Sequence, residues 1–163
     1  MMMVDSRPRR PASGAHGAPT GPPTPAPVLV VDDQAAGSAA TVSTLTDAGY
    51  ATTAESDGDA VLRLVRTDVM HLVVSELYIP CAEGRCVIAA LKQDRTRLPR
   101  LKVLAYSRHT ARADDDWALA AGCDAVLHKS ALASALLREV RRLEGRDDLP
   151  PTPAKPTNGR PLP

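Results

Sequence analysis

A chain of 163 residues with a net charge of +1 has room for one domain plus extensions, and its charge gives no bulk argument for binding nucleic acid or membrane. No apolar run approaches the ~20 residues of a membrane span, and Ala-Ser-Gly-Ala-His-Gly-Ala-Pro behind Arg7, Arg9 and Arg10 is not the apolar core of a secretory signal. Three cysteines, Cys81, Cys86 and Cys123, fit a reducing compartment better than a disulfide framework, so a cytoplasmic location is expected.

Thirteen of the fifteen prolines lie before Val28 or from Pro150 onward. Proline lacks the backbone N–H and fixes φ, and the few large apolar residues near those prolines cannot offset the entropy of ordering them. Residues 1–27 and 145–163 are therefore expected to be disordered, proline-rich tails around one domain over 28–144.

Within that domain, Val28 to Val31 is a continuous apolar run of the kind a doubly buried strand carries. Ala35, Ala39, Val42 and Leu45 then recur at helical spacing, with Gly49 as the stop. Tyr50 to Ala54 is a weaker strand. Asp57 can cap a helix whose inner face carries Ala60, Val61, Leu64 and Val65. Leu72 to Val74 is a third strand, followed by a loop at Pro80. Gly84 is expected to start a helix with Val87, Ile88 and Leu91 inward. Leu101 to Tyr106 is a fourth strand, Ala111 to Ala121 a helix ended by Gly122, and Ala125 to Leu127 a fifth strand. A last helix runs from about Ala131 to Leu143, with Leu132, Leu136, Val140 and Leu143 on one stripe.

Five strands alternating with five helices imply an α/β fold: a doubly wound, five-stranded parallel sheet with helices on both faces. Ligands of such folds gather at the carboxyl ends of the strands. Asp32 and Asp33, Glu76, Ser107 and Lys129 each stand just past a strand. The carboxylates Asp32, Asp33 and Glu76 suit a hard cation such as Mg²⁺, while the hydroxyl of Ser107 and the ammonium of Lys129 suit phosphoryl oxygens.

Taken in order, these residues resemble the receiver domain of two-component response regulators, from Val28 to about Leu143. Val30-Val31-Asp32-Asp33 is similar to that family's acidic first-strand motif. Leu72 to Pro80 is similar to its third-strand motif, and Glu83-Gly84 to the pair that follows. Ser107 falls at the hydroxyl position, Ala118 to Gly122 resembles the segment leading to strand five, and Lys129 matches the family's lysine. The resemblance implies a flavodoxin-like fold, a role in phosphorelay signal transduction, Mg²⁺ as the cofactor, and an output or dimer face made of the fourth helix, the fifth strand and the last helix.

Departures from the family's pattern shape the functional expectation. Glu76 stands at the degenerate phosphoacceptor position, where the family has the aspartate that attacks a phosphodonor. Glutamate is one methylene longer, and a misplacement of about 1 Å can slow such a transfer ~10²-fold. Val126 replaces the aromatic switch residue on strand five, Ser130 the proline after the lysine, and His71 a common acidic residue before strand three. Two readings of Glu76 follow. It reaches Ser107 or Lys129 and partly imitates the phosphorylated state, or the pocket is eroded and Asp32, Asp33 and Lys129 survive as a structural ion-pair network. On either reading Mg²⁺ binding is weak or absent.

Trp117, the only tryptophan, is expected on the flank of its helix, either at a partner surface or packed on a neighbouring loop. Asp114, Asp115 and Asp116 begin that helix, where acidic residues favour the dipole. The cysteines match no redox or zinc spacing, and His16, His71, His109 and His128 form no metal pair.

The expected function is thus a stand-alone, atypical receiver-like signalling module that is not an enzyme and acts by protein contact. Its partner is a kinase, another regulator or a second copy, since little chain follows Leu143. One alternative is a working response regulator with an unusual acceptor. The other is a small α/β enzyme, disfavoured because Gln34 stands where haloacid dehalogenase phosphatases need a second aspartate and Asp-Asp-Gln-Ala-Ala carries no dinucleotide-binding glycines.

Overall fold

The run VLVV forms β1 (Val28–Val31), buried along its whole length, in a computed structural model that describes residues 25–67, 69–94 and 98–146. The expectation of disorder at 1–24 and 147–163 lies outside the described residues. Of the expected tail segments, residues 25–27 are half-buried, and the Ala26 N–H donates to Glu144 Oε1 at 3.0 Å. Glu144 Oε2 accepts from the Tyr50 hydroxyl at 2.8 Å, which joins the start of β1 to the end of the last helix. Burial pushes the Tyr50 phenol up, and the Glu144 carboxylate beside it pushes it further.

Next come α1 (Ala35–Asp47), β2 (Thr52–Glu55) and α2 (Gly58–Val65). Gly49 closes α1 at φ 90°. Its N–H donates to Thr46 O and that of Tyr50 to Leu45 O, the paired bonds of a Schellman stop. The buried residues of α1 are Thr41 and Leu45, whereas Ala35 and Ala39 are exposed. Thr41 tolerates burial because its hydroxyl donates to Gly37 O at 2.9 Å. Asp57 caps α2 as expected, accepting from the Asp59 N–H at 2.9 Å.

After β3 (Leu72–Ser75) the chain makes a short 3-10 turn, Ala82–Gly84, before α3 (Val87–Asp94). The expected start of this helix at Gly84 is corrected. Gly84 has φ 68° and Arg85 is extended, so neither can begin a right-handed helix. β4 (Lys102–Ser107), α4 (Arg112–Ala121), β5 (Ala125–His128) and α5 (Ala133–Leu143) complete the order. Leu132 leaves its expected stripe: it is the extended residue before α5 and is 77% exposed.

All strand pairs are parallel, in the order β2-β1-β3-β4-β5. Alternate residues feed two cores. Leu29, Val31, Val73 and Val103 meet α2, α3 and α4 on one face. Val28, Val30, Val74 and Leu104 meet Leu45 of α1 and Leu136 and Val140 of α5 on the other. Each fully buried leucine or valine contributes about 1.5–3 kcal/mol relative to exposure. The order reverses between β1 and β3, and the crevice at their carboxyl ends is where this architecture places ligands.

Candidate functional site

The parallel register builds the site. The Glu76 N–H donates to Val31 O at 2.8 Å, and the Lys129 N–H to Ser107 O at 2.7 Å. Asp32, Glu76 and Lys129, just past β1, β3 and β5, and Ser107, which is the last residue of β4 and not the first beyond it as expected, are thereby brought to one end of the sheet.

Lys129 lies at the centre. Its Nζ is 2.6 Å from Asp32 Oδ2 and 2.9 Å from Glu76 Oε2. Both carboxylates are almost fully buried, with 2% and 5% of the side chain exposed. Asp32 Oδ1 accepts the Gln34 N–H at 2.9 Å. Glu76 Oε1 accepts from the Ser107 hydroxyl in a short hydrogen bond, and from the Leu77 N–H at 3.1 Å. The Ser107 hydroxyl in turn accepts the His109 N–H at 3.0 Å, which orients its proton towards Glu76. The Arg108 N–H approaches Glu76 Oε2 at 3.4 Å. Burial, the largest single influence, pushes the Glu76 carboxyl up; the bonds from Ser107, Lys129 and the Leu77 N–H together outweigh it and hold the group below its ordinary value.

Asp32, Glu76, Ser107 and Lys129 are therefore brought together, while Asp33 points outward, 60% exposed, with Oδ1 3.7 Å from Arg108 Nη2. This arrangement does not fit the Mg²⁺ ligand set expected of Asp32, Asp33 and Glu76. Both oxygens of Asp32 and both of Glu76 already accept from Lys129, Ser107 or backbone N–H groups. Among the described residues no group of three or more His, Cys, Asp or Glu is placed to hold a metal ion.

Val126 lies in β5, pairs with Ala105 and packs against the core under α4. The aromatic contacts near the site lie elsewhere. Tyr78, two residues past Glu76, has its ring centroid 5.1 Å from Trp117 and 5.1 Å from His109, and its hydroxyl donates to Asp114 Oδ1 at 2.5 Å. Trp117 is thus packed on a neighbouring loop, and the loop bearing Glu76 is fastened to α4. Such aromatic pairs contribute about 0.5–1.5 kcal/mol each beyond burial.

Sequence reasoning missed Tyr78, Arg108 and Gly37. A Cβ on Gly37 would lie 2.5 Å from Asp32 Oδ2 and 3.4 Å from Lys129 Nζ. Its absence lets α1 pass close over the ion pair.

Residues 28–141 match the model of the response regulator receiver domain family. The chain belongs to that family. Receiver domains are signalling modules of two-component systems and work by contact with other proteins. The signal receiver domain of the response regulator NarL from Mycobacterium tuberculosis is 26% identical, with a TM-score of 0.64 over 76% of this chain and 100% of that one. The chemotaxis response regulator CheY4 of Vibrio cholerae, 24% identical with a TM-score of 0.64, covers 74% of this chain at 99% of its own length and bears on the fold alone. Among curated relatives, the transcriptional activator protein ExaE of Pseudomonas putida is 33% identical over 86 residues. That match spans 53% of this chain and 39% of ExaE. No helix among the described residues is long and apolar enough to cross a membrane.

Proposed function

We propose that this receiver domain is held in one output conformation by Glu76 and signals by protein contact without aspartyl phosphorylation. One observation carries the reading. The donors suited to phosphoryl oxygens, the Ser107 hydroxyl and the Lys129 ammonium, are both already engaged by the Glu76 carboxylate. The chain thus supplies from its own side chain the negative charge that a phosphodonor would otherwise bring. A carboxylate held below its ordinary pKa stays ionised at neutral pH, so Glu76 keeps the charge that engages Lys129 and Ser107. The longer stem of glutamate serves this role, since it carries the charge beyond where an aspartate would end, onto Ser107 and Lys129. On this reading Asp32 and Lys129 are the partners that fix Glu76, Val126 needs no ring because nothing switches through it, and Mg²⁺ is not required. The readout passes from Glu76 along the loop to Tyr78, and from there to Trp117 and Asp114 on α4. The contact face is α4, β5 and α5, meeting a kinase, a regulator or a second copy of the chain.

Trp117, as the only tryptophan, reports on this link. Glu76→Ala is expected to shift Trp117 emission and the amide resonances of α4, with the domain still folded by circular dichroism. Changes confined to the immediate neighbours of residue 76 would contradict the reading.

A further inference from the structure

The acidic cluster has one member that Lys129 does not reach, and a second cation covers it. Arg108 follows Ser107 at the end of β4, and its side chain spans the mouth of the site. Its Nε is 3.6 Å from Glu76 Oε2 and its Nη2 3.7 Å from Asp33 Oδ1. We propose that Arg108 is a resident counter-cation that stands between Asp33 and Glu76 and keeps divalent cations out of the acidic cluster. The inference rests on the function proposed above only in taking Glu76 as a fixed occupant.

Asp33 is the carboxylate that a cation from solvent meets first. A cavity of about 280 Å³ lined by Asp32, Asp33, Ser38 and Glu55 adjoins it, enough room for an ion that keeps several of its waters, as Mg²⁺ does. Room is therefore present beside the exposed Asp33, while the oxygens of Asp32 and Glu76 are engaged, and the charge of Arg108 adds to what opposes occupancy. A guanidinium stays protonated at every accessible pH and spans two carboxylates with a planar fork. With Lys129 behind it, two fixed positive charges face three carboxylates, so an arriving dication meets a cluster already largely neutralised. The repulsion of one such charge a few ångströms from the ion, after solvent screening, corresponds to about tenfold in affinity.

Nothing in the periodicity of the sequence marks Arg108, because an arginine one step past a strand reads as an ordinary solvated loop residue. Its role depends on the backbone turn that brings its N–H and its side chain to the same carboxylate oxygen, Glu76 Oε2.

Titrating Mn²⁺ into the full-length protein and into Arg108→Ala and Arg108→Gln, followed by calorimetry, tests this directly. Both uncharged variants are expected to bind Mn²⁺ about tenfold more tightly than the unaltered chain, with unchanged thermal unfolding in the absence of metal. Equal Mn²⁺ affinity in all three proteins would overturn the inference. It would leave the role of Glu76 standing, because the Trp117 and α4 readouts of Glu76→Ala use no metal.

Discussion

Replacing Lys129 with methionine is expected to lower stability by about 3–5 kcal/mol at neutral pH, the cost of breaking a buried ion pair by removing one partner. The unusual feature here is that one ammonium serves two carboxylates, Asp32 and Glu76, with 2% and 5% of their side chains exposed. Methionine preserves most of the stem volume, so the loss is electrostatic and not a cavity effect. The pH dependence separates this from a packing defect. In the unaltered chain the Glu76 carboxyl is held below its ordinary value, so its contribution to stability is present at neutral pH and is lost as pH falls through the folded-state pKa. Without Lys129, its hydrogen bond and its charge no longer hold the group down while burial still pushes it up. The stabilising contribution of Glu76 at neutral pH shrinks accordingly, whereas in acid the unaltered chain loses it as well. Urea unfolding at pH 7 and near pH 4 should therefore show the gap between the two proteins narrowing on acidification. A gap that stays constant would point to lost packing instead.

Gly58→Ala is expected to destabilise by about 2–3 kcal/mol through overpacking, although a glycine-to-alanine change in a helix ordinarily gains roughly 0.5–1 kcal/mol. The reason for the inverted sign is contact. A Cβ there would lie 2.2 Å from Pro80 O, 2.8 Å from Val87 Cγ2 and 3.0 Å from Cys81 Cβ. Pro80 cannot withdraw easily, since it bridges to Cys86 and the adjacent Cys81 N–H donates to Arg85 O at 2.8 Å. Gly58 thus sets how closely α2 approaches the loop beyond Glu76. A urea midpoint that falls with an unchanged slope is the expected observation. A midpoint that rises would show that the loop yields and that helix propensity decides.

These contacts mark the limit of what the sequence discloses. The succession of strands and helices and the convergence of Asp32, Glu76, Ser107 and Lys129 were legible, because continuous apolar runs locate buried strands and a parallel sheet gathers the residues at their carboxyl ends. Contacts between elements far apart in sequence left no periodic signal. Gly37 and Gly58 look like ordinary helix glycines until the neighbouring Asp32 carboxylate and Pro80 carbonyl are in place. Thr41 broke the expected α1 stripe because a back-bonded hydroxyl can be buried where pattern favours alanine. Gly84 failed as a helix start because its φ is positive, a property that residue type permits without requiring. The outward turn of Asp33 and the arm of Arg108 across it depend on the local backbone turn and on side-chain geometry, neither of which leaves a periodic signal.

Whether Glu76 replaces phosphorylation or merely awaits it is decided by intact mass after incubation with acetyl phosphate and Mg²⁺. The unaltered chain is expected to keep its original mass, with the Ser107 hydroxyl and the Lys129 ammonium already engaged by Glu76. A phosphate-sized increment on that chain would contradict the account and make this a working phosphoacceptor.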